Sequence, residues 1–156
     1  MTDTQQPPRD AELVARLQAA GYRLTPQRLA LVHLLSRDDS HPSAEQIYAR
    51  LRAEYPTVSL ATVYNTLNEL VGMGEIREIA TGDGPRRYDP NTTSAHHHLY
   101  CVGCGALRDV HPTGDDTLAL GPAEQHGFHL LGLDIVFRGI CPDCSTDVPG
   151  AAVNTR

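Results

Sequence analysis

The sequence predicts an α+β protein in which an N-terminal winged helix-turn-helix is followed by a small domain with a four-cysteine zinc site. Three observations indicate this fold class: apolar residues at helical spacing, a β-hairpin pattern after them, and two C-x2-C pairs in the C-terminal half. A chain of 156 residues allows two small domains, each with a modest core. A metal or a dimer partner is therefore expected to add stability.

Start signals mark the first three predicted helices. The first covers residues 11–20. Thr25 and Pro26 then provide a side-chain N-cap and a first-turn residue for a second helix. Ser43 and Gln46, three residues apart, have the spacing of a capping box, which opens a third helix.

The fourth predicted helix begins after Ser59 and has two distinct faces. Its apolar stripe consists of Leu60, Val63, Leu67, Leu70 and Val71. Its polar face carries Thr62, Asn65 and Glu69. Residues 75–89 read as a β-hairpin, and helices that end in such a wing form a winged helix-turn-helix. The fourth helix is then the natural recognition helix.

Charge is distributed unevenly along the chain. The net charge of −6 argues against non-specific nucleic-acid binding through an overall basic surface. Residues 1–88 contain 10 Arg against 11 acidic residues, whereas residues 89–156 contain 3 against 8. The N-terminal half therefore keeps Arg for phosphate contacts, and the C-terminal half is rich in groups that could hold cations. No long apolar run or secretory signal is evident, so we predict a cytoplasmic protein with no membrane segment.

The polar segment DPNTTSA predicts a hinge between the two domains. The predicted boundaries are 1–88 for the winged-helix domain, 89–95 for the hinge and 96–156 for the second domain. In the second domain we predict two short strands around the first cysteine pair, a helix near 116–126 and a long strand over 128–137, where apolar residues alternate.

The cysteines predict a structural zinc site. Each C-x2-C turn can aim two sulfurs at one point, and two such turns supply four thiolates: Cys101, Cys104, Cys141 and Cys144. With all four positions filled by protein, the zinc serves folding rather than catalysis. Two disulfides are the alternative, which a reducing cytoplasm disfavours.

Histidines and carboxylates predict a second metal site. His96 and His98 are two apart on a predicted strand, so both rings project from one face. Asp89 precedes them and Asp109 follows the first cysteine pair. Such N and O ligands suit Fe(II), Mn(II) or a second zinc. A solvated histidine loop is the alternative, and His41 by itself reads as a capping or surface residue.

Several strings occur in a specific order over roughly residues 11–145: YRLTPQRLALVHLL, HPSAEQIY, SLATVYNTLNEL, RRYD, HHHLYCVGCG and GICPDC. Together they resemble the ferric uptake regulator (Fur) family. The resemblance implies a homodimeric repressor that binds a double-stranded DNA operator and has a C-terminal α/β dimerisation domain. It also implies that the four cysteines are structural zinc ligands. The residues that match the regulatory metal site of PerR-type peroxide sensors are His41, Asp89, His96, His98 and Asp109.

The ligand types resemble the PerR-type pattern best. Zinc-uptake regulators often place a Cys near the position of Asp89, and iron-uptake regulators usually have Glu at the position of Asp109. In peroxide sensors, bound Fe(II) reacts with hydrogen peroxide and oxidises a ligand histidine, which releases DNA; the resemblance makes His41 and His96 the candidates. Two departures are visible: Asp89 lies one residue further from His96 than expected, and Leu133 stands where a second metal site usually has a histidine. That second site is predicted to be absent or altered.

One regulatory cation could tie the two domains together and select a dimer whose recognition helices fit successive major grooves. For contacts with base edges or methyl groups we predict Ala61, Thr62, Tyr64 and Asn65, and for phosphate contacts Arg28. Partial core packing is the alternative for Tyr64. Rival functions are an iron, manganese or zinc uptake regulator without peroxide sensing, a metallohydrolase, and a protein-binding zinc-ribbon adaptor.

Overall fold

The computed structural model describes residues 9–114 and 118–146, and the chain divides into two compact units between Ser94 and Ala95. The described elements of the first unit are α1 (Arg9–Ala19), α2 (Pro26–Ser36), α3 (Ala44–Glu54), α4 (Leu60–Gly72), β1 (Arg77–Ile79) and β2 (Arg87–Asp89). Those of the second are β3 (His97–Cys101), β4 (Leu107–Val110), β5 (Val136–Gly139) and α5 (Pro142–Ser145). The predicted α+β class is confirmed. Within the described ranges, no helix has the length and apolar character needed to cross a bilayer.

Capping residues set the starts of α2, α3 and α4. The side chains of Thr25, Ser43 and Ser59 each accept a hydrogen bond from the backbone N–H three residues on, at 3.3, 3.3 and 3.0 Å. Gln46 Oε1 in turn accepts from the Ser43 N–H at 2.9 Å, which completes the predicted capping box. Each cap is worth about 1 kcal/mol of helix stability.

The core of the first unit includes the predicted stripe of α4. Val63, Leu67 and Leu70 are fully buried, and the other two stripe residues are half-buried. Helices α1, α2 and α3 contribute further buried residues, namely Leu13, Leu17, Leu31, Val32, Leu35, Ala44, Ile47 and Leu51. The wing pairs antiparallel, with Glu78 opposite Tyr88, and Tyr88 packs into the same core. The wing is thereby fixed to the helices.

The second unit contains a sheet in the order β4-β3-β5. Strand β3 pairs antiparallel with β4 and parallel with β5. In the parallel register Cys101 lies opposite Gly139, two residues before Cys141. Because parallel strands end at the same edge of a sheet, this pairing brings the two cysteine pairs to one place.

Two predictions for the second unit were wrong in extent. The strand expected over 128–137 is reduced to β5, which begins at Val136. Of the helix expected near 116–126, residues 118–126 are irregular or in turns, and residues 116 and 117 lie outside the described residues. The alternating apolar residues need a surface to cover them, but Phe128 is 75% exposed and Leu131 is 95% exposed in the single chain. The alternation of apolar residues defines the two faces that a strand would have, but a strand also needs a neighbouring strand for its backbone hydrogen bonds.

Candidate metal centres

Four cysteine sulfurs lie together in the second unit. Their ligand atoms are all within 4.8 Å of one another, and the sulfurs of Cys104 and Cys141 are 3.7 Å apart. A zinc ion with Zn–S bonds of about 2.3 Å in a tetrahedron requires sulfurs separated by about 3.8 Å. The cysteines are all unoxidised, so the two-disulfide alternative is not formed. The cluster fits a tetrahedral cation that prefers thiolates.

Two tight turns build the cluster. Strand β3 ends at Cys101, whose carbonyl accepts from the Gly105 N–H at 2.9 Å, and Gly105 has a φ of +74° that favours glycine. Cys141 precedes α5, and its carbonyl accepts from the Cys144 N–H at 3.1 Å. The turns also contact each other, because an added Cβ at Gly103 would lie 3.0 Å from both Cβ and Sγ of Cys144.

The thiols of the cluster differ in their acidity. Backbone N–H groups of Cys104 and Cys141 donate to the sulfur of Cys101 and lower the pKa of that thiol to about 6. The neighbouring thiols of Cys141 and Cys104 raise the pKa of Cys144 to about 12. Adjacent sulfurs therefore resist simultaneous ionisation, and a divalent cation would supply the charge that stabilises four thiolates together.

A second group in the same unit consists of His96, His98 and Asp109. Register places His98 opposite Asp109 across β3 and β4. Oδ1 of Asp109 lies 3.7 Å from Nε2 of His96 and 3.8 Å from Nε2 of His98, and both imidazoles are buried. His97 is separate, since its Nδ1 accepts from the Ile135 N–H at 3.2 Å. The predicted pairing of His96 and His98 on one side is present.

The first unit contains the other two predicted regulatory residues. His41 Nε2 lies 3.5 Å from Asp89 Oδ1, and both side chains are buried. The Asp89 carboxylate also accepts from the Asn91 N–H at 2.7 Å and from Nη2 of Arg77 at 3.1 Å. His41 has a φ of +52°, which is uncommon for a residue other than glycine. The structure therefore gathers the five predicted ligands as a pair in the first unit and a trio in the second.

Two arginines beside this pair were not predicted from the sequence. Arg77 holds Asp89, and Arg87 donates to the carbonyl of His41. The signal was weak, because all three residues of β2 are buried, so two charged residues lie inside where a strand of this sequence would be expected to expose them. Only the presence of an arginine on each strand of a short hairpin pointed to them.

The predicted DNA-contact residues occupy the accessible side of α4. Ala61, Tyr64 and Asn65 are exposed, and Thr62 is half-buried. The Tyr64 hydroxyl donates to Glu45 Oε1 at 2.6 Å, which holds the pKa of Glu45 below its ordinary value and raises the pKa of Tyr64. These side chains are accessible to a partner.

Arg28 is engaged within the first unit. Its Nη2 donates to Glu69 Oε1 at 2.8 Å, which links α2 to α4. The side chain is only 19% exposed. A phosphate contact by Arg28 would have to share the guanidinium with Glu69.

Fold and site together define a class of protein: a winged-helix regulator with candidate metal centres. Residues 19–138 match the ferric uptake regulator family. The chain belongs to this family.

Relatives and a solved structure agree with this assignment. The chain is 35% identical over 142 residues to the peroxide-responsive repressor PerR of Staphylococcus epidermidis, covering 87% of this chain and 90% of the relative. It is 36% identical over 134 residues to the peroxide operon regulator of Bacillus subtilis, covering 86% and 92%. The ferric uptake regulator structure of Helicobacter pylori is 22% identical, with a TM-score of 0.73 over 93% of this chain and 97% of that one, and it supports the fold.

Proposed function

We propose that this protein is a metal-dependent, DNA-binding transcriptional repressor that responds to peroxide. The observation that carries the metal dependence is the cluster of two buried histidines, His96 and His98, with the exposed carboxylate of Asp109, in a chain that also has a winged helix. Identity of 35–36% to peroxide-responsive relatives supports the peroxide response. Membership in a family of regulators favours this role over the metallohydrolase alternative.

The two kinds of ligand suggest two kinds of cation. We assign a structural Zn²⁺ to the four cysteines, because thiolates in a closed tetrahedron suit zinc and leave no open position. To His41, Asp89, His96, His98 and Asp109 we assign the regulatory Fe²⁺ or Mn²⁺, with Zn²⁺ possible, because imidazole and carboxylate ligands suit these ions. The regulatory group contains no thiolate, so the two sites would prefer different metal ions.

Ligation would couple metal binding to DNA binding. His41 and Asp89 belong to the first unit, and the other three proposed ligands belong to the second. Holding one cation with both sets would restrict the first unit and favour a dimer whose α4 helices are spaced for successive major grooves. A coupling of about 1–3 kcal/mol changes operator affinity by roughly 5- to 150-fold.

Peroxide would act on the ligands themselves. When bound, Fe(II) would supply the electron that breaks the O–O bond of hydrogen peroxide; overall, one peroxide oxygen would enter a ring C–H bond of an imidazole, and the other would leave as water. His41 and His96 are the proposed targets, because they match the histidines that are oxidised in PerR-type peroxide sensors; both are buried in this chain. An oxidised imidazole binds the cation less well, and the operator would then be released.

The partner surfaces follow from exposure. We propose that Ala61, Thr62, Tyr64 and Asn65 on α4 contact base edges and methyl groups and that Arg28 contacts phosphates; of these, Ala61, Tyr64 and Asn65 are exposed. We propose a cytoplasmic homodimer, supported by large apolar side chains that the second unit leaves exposed: Leu118, Leu120, Phe128, Leu130, Leu131, Leu133, Phe137 and Ile140. A second copy would cover them.

The decisive experiment removes His41. With cysteine-bound zinc retained, His41→Ala should abolish the increase in operator affinity that Mn(II) or Fe(II) produces, as measured by fluorescence anisotropy of labelled DNA. His33→Ala, an exposed histidine of the same unit, is the matched control and should respond as the wild type does. An unchanged metal dependence in His41→Ala would refute the proposed coupling.

A separate experiment addresses peroxide. After Fe(II) loading and peroxide treatment, peptide mass spectrometry should find one added oxygen on His41 or His96 together with loss of operator binding. If neither histidine is oxidised and DNA binding persists, the protein is a metal-uptake regulator of the same family.

A further inference from the structure

Arg87 is a buried arginine attached to the loop that carries His41. Its Nη1 donates to the carbonyl oxygen of His41 at 3.2 Å and to Gln46 Oε1 at 2.6 Å. The residue is 6% exposed. A guanidinium cannot be deprotonated in a protein and cannot itself bind a cation, so a metal-related role for Arg87 must act through its neighbours.

The backbone of His41 needs such support. A residue with a Cβ adopts a φ of +52° only where its surroundings hold it there. The hydrogen bond from Arg87 fixes the peptide that follows His41, and the Tyr88 N–H adds a second tie to the carbonyl of Pro42 at 3.2 Å. Residues of strand β2 thus donate hydrogen bonds to the carbonyl oxygens of both His41 and Pro42.

The same arginine joins that loop to the start of α3. Gln46 closes the capping box by accepting from the Ser43 N–H, and its Oε1 also accepts from Arg87. Two residues beyond Arg87 on β2, Asp89 places Oδ1 3.5 Å from Nε2 of His41. One guanidinium therefore connects the backbone of one proposed ligand to the strand that carries the other.

We propose that Arg87 is a positioning residue that sets the affinity of the regulatory site by holding His41 in its left-handed conformation beside Asp89. The inference rests on the proposed regulatory site and adds a residue to it. Outer groups that orient ligands typically change metal affinity by about 10- to 100-fold when they are replaced. Arg87 acts on a backbone carbonyl instead of an imidazole, so we expect the lower end of that range.

The test is Mn(II) titration of the full chain with zinc on its cysteines, following free Mn(II) by electron paramagnetic resonance. Arg87→Met keeps an extended apolar stem without donors and should weaken Mn(II) binding about tenfold. Arg87→Lys keeps one donor group and should fall between Arg87→Met and the wild type. Zinc content and far-ultraviolet circular dichroism should remain those of the wild type.

A matched control separates positioning from helix stability. Ser43→Ala removes the other arm of the capping box, the bond from the Gln46 N–H, but leaves the acceptors of Arg87 in place. It should lower the thermal midpoint while Mn(II) affinity stays within about twofold of the wild type, well short of the change expected for a ligand-orienting group.

Three results would overturn one or the other proposal. Wild-type Mn(II) affinity in both Arg87 variants, or an equal loss in Ser43→Ala, would overturn the positioning role. If Arg87→Met fails to fold, Arg87→Lys decides by the same criterion. Wild-type affinity in His41→Ala would overturn the regulatory site itself, whereas weakened binding in His41→Ala with unchanged binding in both Arg87 variants would remove only the role of Arg87.

Discussion

The two units of this chain bury apolar side chains to very different degrees. In the first, α1 to α4 and Tyr88 of the wing share one core. In the second, the buried apolar residues among those described are Tyr100, Cys101 and Leu107, while many large apolar side chains are exposed. The first unit therefore has an apolar core built from its own residues. We therefore expect the second to depend on the proposed zinc ion at the cysteines and on a second copy that covers its apolar side chains.

Removing the proposed zinc ion from the cysteines should give the largest difference in stability between the two units. Structural zinc in small domains binds with an apparent free energy on the order of 10–16 kcal/mol, most of which is folding free energy. Cys144→Ser should therefore lose zinc and unfold the second unit while α1 to α4 stay folded, as followed by zinc content and amide hydrogen exchange. Val102→Ser, at an exposed position in the other cysteine turn, is the control. Protection of β3 amides without zinc would contradict the contrast.

A cavity in the core of the first unit should destabilise its helices without affecting the zinc site of the second unit. Leu67 is fully buried in α4, and Leu67→Ala should lower the free energy of unfolding by about 2–5 kcal/mol without changing zinc content. Urea denaturation followed by helical circular dichroism measures it. Leu118→Ala, exposed in the second unit, should change the same helical transition by less than about 0.5 kcal/mol. Equal effects of the two changes would remove the distinction between the units.

The exposed apolar side chains give a prediction about association. Leu131 is 95% exposed in the single chain, and Leu131→Asp would bury a charge in the proposed dimer contact. The dimer dissociation constant should rise at least about tenfold, equivalent to about 1.4 kcal/mol, in analytical ultracentrifugation. Thr92→Asp adds the same charge to an exposed site of the first unit and should leave it unchanged.

The smallest expected effect is a pH-dependent one at the surface of the first unit. The hydrogen bond from Tyr64 holds the pKa of Glu45 below its ordinary value, so its stabilisation is full above the unfolded pKa and is lost as pH falls through the folded pKa. Tyr64→Phe should cost less than about 1 kcal/mol at neutral pH, because the pair is exposed. The difference from the wild type should vanish in acid. Thermal denaturation from neutral to acidic pH measures it, and a difference that persists in acid would assign the effect to packing.

The same division explains what could be predicted from sequence. In the first unit, Thr25, Ser43 and Ser59 act through neighbours three residues away, so local sequence was enough to place the helix starts. The cysteine pairs are also local signals, because each C-x2-C spacing by itself predicts a turn that directs two sulfurs to one metal ion. Such features require no knowledge of distant contacts.

The failures came from features that depend on distant groups. The alternation near Leu131 predicted a longer strand, but a strand forms only where another supplies hydrogen bonds, and among the described residues the ladder between β3 and β5 covers 136–139. The left-handed backbone of His41 had no local signal, and the guanidinium that donates to its carbonyl belongs to Arg87, 46 residues away. The sequence indicated which side chains could hold a cation but did not indicate which groups would orient them.

The near contact between Gly103 and Cys144 limits how this cysteine motif can be transplanted. Even a methyl group at the third position of the C-V-G-C turn would press on the opposite turn, so the two loops must be copied as an interlocking unit. A designer who moved both cysteine pairs to another scaffold but changed that glycine to alanine would force the loops apart. The engineered protein would then have the right ligands at the wrong spacing.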